Sequence, residues 1–593
     1  MQWQPKIDPA TRARAVDAAQ GRAPFDRLLC GGTIVDVITG ELREADIGIV
    51  GPMIASVHAR GSRNDSDSIF DASGKFLAPG LIDAHMHFES SHMLPHHYAS
   101  TVVPQGTTTI FYDPHELANV LGIRGVRYAI EASRNLPLRF LCQAPSSVPS
   151  APNLEVSGAA IGGSEMREML SWPEVLGVAE MMDMNGVLRN SPRMTAIAEE
   201  GRAAGKLLEG HARGLSGPSL QGYLAAGVTS DHEITSAEDF MEKLRAGLAI
   251  EIRGSHDYVI PPLVKALREL PHLSSQIMFC TDDVPPDVLV ERGGLIDVLR
   301  RFIKSGLDPV DAIRLTTFHA ALRLGRSDLG ALCAGRIADV VVLTDMQTLG
   351  VADVFVSGHH AAHEMKMLHH VDSAPVDHPC NTVHLAKTKL DDFHLRLDVP
   401  DGLARVRSIR GVRFSEWGEL EVEVRNGYAV LPAGTNLISV RHRHGRYDSR
   451  PQVALQEGIP QLKGAIATTY LHDSHNLFVI GASPEDMKFA ADALIESGGG
   501  TAVVQSGKLL AMIQYPVAGM LSLEAPLEVA RKFAAVREAA GKVAEWKPPY
   551  WIFKAIEGMS LACNPFPYLT DLGLIDGARA ELVGGSIPWT IAK

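Results

Sequence analysis

Between about Lys75 and Arg326 the sequence repeats one unit, a short apolar run that closes on polar or ionisable residues and is followed by a helical pattern. The first runs close at His85/His87, at Tyr112-Asp113-Pro114-His115-Glu116 and at Gln143-Ala144-Pro145-Ser146. Three more close at Val178-Ala179-Glu180, Leu208-Glu209-Gly210-His211 and Ser230-Asp231-His232-Glu233. The last two close at Ile252-Arg253-Gly254-Ser255 and Phe279-Cys280-Thr281-Asp282-Asp283. Helical patterns fill the gaps, for example Ser236 to Ala246 behind a serine cap, and Asp287 to Ser305. Eight strand–helix units in about 250 residues is the arithmetic of a (β/α)8, TIM-type barrel, whose active site lies at the C-terminal strand ends. The reactive side chains sit at those ends.

The flanks complete an α/β fold of several cores, as the 593-residue length requires. Short β segments at 27–30, 33–37, 45–50 and 53–57 are too few to close on themselves. Their remainder is expected at 335–343 and 354–358, so that 1–75 and 327–370 form one small β-sandwich domain around an inserted barrel at 76–326. An amphipathic helix over residues 8–21 precedes it, with Asp8 as cap and Pro9 in the first turn. A linker at 371–390 leads to a C-terminal α+β domain, 391–593. There, strand runs fall at 421–424 and 501–504, a Ser506-Gly507 hairpin turn leads into 508–513, and helices are expected at 484–497 and 526–540.

Composition narrows the function classes. A net charge of −13 argues against nucleic-acid binding, which needs clustered cations. The local basic run Arg441-His442-Arg443-His444-Gly445-Arg446 reads as a solvated loop or an interface. Six cysteines without a C-x-x-C pair indicate reduced thiols rather than a disulfide framework. There is neither an apolar secretory core at the N-terminus nor an apolar run near the ~18 residues of a membrane helix. A cytoplasmic protein with no membrane partner is expected.

In the stretch Pro79-Gly80-Leu81-Ile82-Asp83-Ala84-His85-Met86-His87, the two histidines lie two residues apart on an extended chain and face the same way. Alone, His-x-His is a weak metal signal; after Pro-Gly-Leu-Ile-Asp it resembles the first-strand signature of the metal-dependent amidohydrolases. His85, His87, Glu180, His211, His232 and Asp282 then supply the ligand types for two divalent ions, in the chain order an amidohydrolase needs. His85, His87 and Asp282 would hold the more buried ion, His211 and His232 the second, and Glu180 would bridge. A bridging carboxylate offsets two neighbouring positive charges, and two ions so spaced lower the pKa of a shared water from ~15.7 toward ~7. Mixed imidazole and carboxylate ligands suit Zn, Fe or Mn, and geometry rather than sequence decides among them; Mn or Fe is the favoured expectation, with Zn possible. Taken singly, each of these residues could instead be a hydrogen-bonded core residue, a cap or a turn. Asp282 is favoured over Asp283 as ligand because it directly follows the strand and Thr281.

The chain is identified more narrowly by longer blocks. His85-Met86-His87-Phe88-Glu89-Ser90-Ser91, Gly106-Thr107-Thr108-Thr109 and the run from Asp113-Pro114-His115-Glu116 to Gly122 resemble the bacterial and archaeal adenine deaminases. So do Ala179-Glu180-Met181-Met182, Gly210 to Gly217, Cys280 to Asp283, His472-Asp473-Ser474-His475-Asn476 and Pro516 to Met520. The resemblance implies hydrolysis of adenine to hypoxanthine and ammonia, with a hydroxide generated between the ions attacking C6 and Asp282 relaying its proton. Glu89, Asp113 and His115 would shuttle protons or orient the metal histidines. His472, Asp473 and His475 could close the barrel mouth over the substrate or hold a domain interface. Ser255 and His256 belong to a seventh-strand segment that departs from the family pattern and lines the pocket, so another aminopurine or a cyclic amide stays open as substrate. A barrel that binds without turnover is the reading from another class. Homo-oligomers, at least dimers, are expected.

Overall fold

A computed structural model of the chain describes residues 2–254, 257–546 and 552–584. Eight parallel strands form its centre: β1 Leu81–Met86, β2 Thr107–Tyr112, β3 Arg139–Pro145, β4 Val175–Met181, β5 Leu207–Gly210, β6 Ser230–Asp231, β7 Ala249–Arg253 and β8 Ile277–Cys280. Each ends where the repeat placed it. Ladders join β1 to β5 in chain order, and β6 to β8 likewise. Backbone bonds carry the curl across both remaining seams. At one, Thr229 N–H donates to the Leu208 carbonyl at 2.9 Å. At the other, Asp282 N–H donates to the His85 carbonyl and His87 N–H to the Asp282 carbonyl, both at 3.1 Å. The buried Asp83 carboxylate fastens that second seam by accepting the Thr281 N–H at 3.0 Å and its hydroxyl at 2.6 Å.

The early and late β segments share one sheet. Phe76–Pro79 pairs antiparallel with Val340–Leu343, Pro79 opposite Val340, and parallel with Thr33–Asp36. Glu41–Val50 and Met53–Ala59 continue it on one side, Val351–Val356 and His359–His363 on the other. Phe76–Pro79 runs through Gly80 straight into β1, so this sheet sets the entry of the first barrel strand. The leading helix spans Pro9–Ala19, with the Asp8 side chain accepting from Thr11 N–H. The single helix expected over 287–305 is two, Pro286–Glu291 and Leu295–Lys304. The break falls at Gly293-Gly294, where Gly293 takes φ +103°, a conformation that ends a helix.

The C-terminal part is built on a nine-stranded, mostly antiparallel sheet between Gly402 and Gln514. Helices Pro484–Ser497 and Pro526–Ala544 fall where amphipathic periodicity put them. Ser506 and Gly507 both have positive φ and close a two-residue hairpin, Gln505 opposite Lys508.

The basic run at 441–446 is partly a solvated loop and partly an interface: Arg446 donates to the carbonyls of Ser157 at 3.2 Å and Ala159 at 3.3 Å. Gly445 and Arg446 are exposed, but His442 and Arg443 are buried. Arg443 is satisfied by neutral acceptors: it donates to the carbonyls of His475, Ala518 (2.9 Å) and Thr382 (3.2 Å) and to the Thr382 hydroxyl (3.1 Å). The guanidinium thereby ties the 472–476 turn to the rest of its domain. Arg443→Met leaves these buried carbonyls without a donor and should destabilise the chain by on the order of 2–4 kcal/mol, read as a lowered midpoint in urea unfolding. An unchanged midpoint would contradict this role.

Candidate metal centre

The strand ends converge on one carboxylate. Glu180, at the end of β4 and 2% exposed, lies among four imidazoles. Its Oε1 is 3.2 Å from His85 Nε2 and 3.0 Å from His87 Nε2; its Oε2 is 2.8 Å from His211 Nδ1 and 3.3 Å from His232 Nε2. One oxygen therefore faces the β1 pair and the other the histidines of β5 and β6. Asp282 joins the first group, with Oδ1 3.7 Å from His87 Nε2. Donor atoms of His85, His87 and Asp282 lie within 4.8 Å of one another, as do those of Glu180, His211 and His232. Both sets agree with the grouping expected from the sequence; His87, Asp113, His115 and Glu180, and His85, His232 and Glu251, lie equally close together.

Local structure explains the convergence. His85 and His87 leave β1 on one side, and Asp282 is held beside them by the backbone bonds of the β1–β8 seam. That seam requires φ +59° at Asp282, an uncommon conformation for a residue with a side chain, though Asp tolerates it. Gly210, before His211, has no room for a side chain: a Cβ there would stand 2.2 Å from the Ser230 carbonyl. The close approach of β5 and β6 brings His211 and His232 together, their ring centroids 5.4 Å apart.

The donor set fits a divalent cation. His87 Nδ1–H donates to the Asp113 carbonyl at 2.8 Å, which leaves Nε2 facing a Glu180 oxygen 3.0 Å away. Burial opposes a charge on this ring, yet Glu180 and Asp283 raise its pKa to about 10. A divalent cation bound there would take the place of the Nε2 proton against the same carboxylate oxygen. Both ring nitrogens of His85, Nε2 of His211 and Nδ1 of His232 are buried without a hydrogen-bond partner. Burial pushes the Glu180 carboxyl up, yet the surrounding imidazoles, His232 foremost, hold it well below the usual carboxylate range. Burial likewise opposes ionisation of Asp282, and Arg253, Lys554 and the nearby imidazoles overcome it.

Around these ligands the structure places residues that motif reading did not single out. Arg253, at the end of β7, bonds Asp282 Oδ2 through Nη1 and Glu233 Oε2 through Nη2 at 2.6 Å. Arg213 reaches the same Glu233 oxygen at 2.7 Å. Glu233 and Glu116 stood inside the motif blocks beside a histidine, the one signal that marked them. Glu116 is fully buried and receives His472 Nδ1 at 3.0 Å, the Tyr470 hydroxyl at 3.2 Å and His475 Nε2.

The remaining expected site residues take distinct positions. His115 lines the pocket; its Nδ1 donates to Asp113 Oδ2 at 2.8 Å, and its ring packs on that of His87 with centroids 4.4 Å apart. Asp113 stands behind them, holding His87 with its backbone and His115 with its side chain. Glu89 is buried with neither carboxylate oxygen hydrogen-bonded, and burial, with Glu116 nearby, pushes its pKa up to about 8. It is not on the pocket wall. His472 and Asp473 roof the pocket from the C-terminal part, whereas His475 sits behind them on Glu116. Asp283 also lines the pocket, but turns toward His472, 3.7 Å away, rather than toward His87. Ser255 and His256 lie outside the described residues.

Comparison with known proteins adds to this geometry. Residues 76–360 match the amidohydrolase family and residues 413–581 the adenine deaminase C-terminal domain. An adenine deaminase of Klebsiella pneumoniae (strain 342) is 57% identical over 574 residues, covering 96% of this chain and 95% of the relative. Adenine deaminase 2 of Rhizobium meliloti (strain 1021) is 52% identical, with 97% of each chain covered. The adenine deaminase of Moorella thermoacetica is 36% identical over 586 residues, covering 96% of this chain and 97% of its own.

If Glu180 serves both sets, its loss affects both. Glu180→Ala should reduce bound metal, measured by plasma mass spectrometry after desalting, from two ions per chain to one or none. Two tightly held ions in the variant would show that the histidines and Asp282 suffice.

Proposed function

This chain belongs to the adenine deaminase family of amidohydrolases, and we propose that its barrel mouth hydrolyses adenine to hypoxanthine and ammonia with the help of two divalent ions. His85, His87 and Asp282 would hold one ion and His211 and His232 the other, with Glu180 placed to serve both. The observation that carries this reading is the Glu180 carboxylate, each oxygen within 3.3 Å of two imidazoles on opposite sides. When bound, two such ions polarise water and make it nucleophilic at neutral pH. Mn or Fe is favoured, with Zn as the alternative.

The chain's own groups then handle the protons. Arg253 holds Asp282 by Oδ2, which fixes Oδ1 toward His87, so that this one oxygen would both serve the ion and accept the proton of the attacking water. That proton is returned to the exocyclic nitrogen, which departs as ammonia, and the proton left on the C6 oxygen passes back to the group that protonated the ring nitrogen, giving the C6 carbonyl of hypoxanthine. His115, oriented by Asp113 through Nδ1, presents Nε2 to the pocket and is suited to donate to a ring nitrogen. Glu89, Asp113 and His475 support this arrangement from behind, and His472 and Asp473 exclude water above it.

We take residues 76–326 as the catalytic unit, 1–75 with 327–370 as its flanking sheet domain, and 391–593, after the 371–390 linker, as the roof. No helix among the described residues is long and apolar enough to cross a membrane. A homodimer in the cytoplasm is the proposed working form.

Protein stripped of metal should release no ammonia from adenine and should regain activity on loading with Mn, Fe or Zn. Asp282→Ala should lower kcat by roughly 10³-fold if Asp282 is the proton relay. Wild-type turnover by the variant would contradict the role of Asp282, and hypoxanthine formation by metal-free protein would contradict the role of the ions.

A further inference from the structure

The pocket enclosed by the metal residues and their roof is narrow, about 50 Å³. A second cavity of about 220 Å³ opens beside it between the ends of β7 and β8, and two residues belong to both walls, Asp283 and Lys554. A flat ring with its reacting carbon at Glu180 and its far edge directed between β7 and β8 crosses the boundary that these two residues form. Both carry buried polar atoms that lack a hydrogen-bond partner, Lys554 Nζ and Asp283 Oδ1. Arg253, also on the metal pocket wall, has its terminal nitrogens engaged by Asp282 and Glu233.

The second cavity suits a neutral heterocycle. Val284, Pro285, Val288 and Val298 give it apolar surface. The arginines on its wall are engaged: Arg301 with Asp257 at 2.7 Å and Asp297 at 2.8 Å, Arg292 with Asp297 at 3.1 Å. This neutralisation leaves those arginines poorly placed to receive a phosphate.

We propose that Lys554 and Asp283 are the specificity-determining contacts for the purine ring, Lys554 donating to an unprotonated ring nitrogen and Asp283 accepting the ring N–H. This rests on adenine being the substrate. The chemistry is complementary: an ammonium only donates, a carboxylate only accepts, and adenine offers several bare ring nitrogens beside one ring N–H. A donor left unpaired when a nitrogen is missing makes such a contact discriminating.

The test compares wild type and Lys554→Met by KM for adenine and by inhibition constants for 1-, 3- and 7-deazaadenine, with metal content measured on each protein. K554M should retain two ions and show at least a tenfold higher KM. For one analogue, the one lacking the nitrogen that Lys554 addresses, the two proteins should share an inhibition constant, while the other two analogues should show the tenfold gap. An unchanged KM, or the same gap for all three analogues, overturns the proposal. Should K554M fail to hold two ions, the comparison is read on Lys554→Gln, which keeps a neutral donor and should show the same pattern with a smaller gap. A wild-type protein that releases no ammonia from adenine would instead overturn the substrate reading.

Discussion

The site depends on how the barrel closes. Where β8 meets β1, Asp282 exchanges backbone bonds with His85 and His87, and Asp83 fastens Thr281 one residue earlier. The same contact completes the curl and brings three donors from sequence positions almost two hundred apart into one set. Closure and site assembly are thus one event: a chain that failed to pair these strands would lose Asp282 from the histidine pair. Asp282 accepts a left-handed backbone to make it possible, a local cost of the kind that tends to persist at functional sites.

Electrostatics then decides what the closed barrel can hold. Burying Glu180 and Asp282 without compensation would be costly, and the protein's answers differ for the two. Asp282 has a permanent partner in Arg253, which is shared with Glu233. Glu180 has only imidazoles, groups that are neutral when they act as ligands and leave a place for added positive charge. The C-terminal part extends the same logic outward: His472 and His475 converge on the buried Glu116 of the barrel, and Arg443 holds the turn that carries them. The roof is bonded to the barrel by charge rather than by apolar contact alone. That suits a cover which must stay in register with the metal residues.

Much of this was legible in the sequence because barrel strands announce their own ends. An apolar run that stops at a histidine or carboxylate gives both the strand and the direction of its reactive end, and all eight strands and both sets of metal-ligand candidates follow from that pattern. Gly293-Gly294 marks a helix break that the apolar periodicity on either side of it masks. Other features had no local signature. Arg253 reads as the last residue of a strand until Asp282 and Glu233 are seen beside it. Glu116 finds Tyr470 across 354 residues of sequence. Arg443 stands in a run that reads as a solvated loop or an interface, and its burial is not legible because its partners include backbone carbonyls, which sequence does not label. Lys554 likewise matters through the cavity boundary it occupies, a property of packing rather than of motif.

The most direct test of the account is anomalous diffraction from crystals of the Mn-loaded protein, collected at the Mn absorption edge. The account predicts two peaks in each chain flanking the Glu180 carboxylate, one bounded by His85, His87 and Asp282 and the other by His211 and His232. A single peak, or two that leave Glu180 outside their coordination, would contradict it.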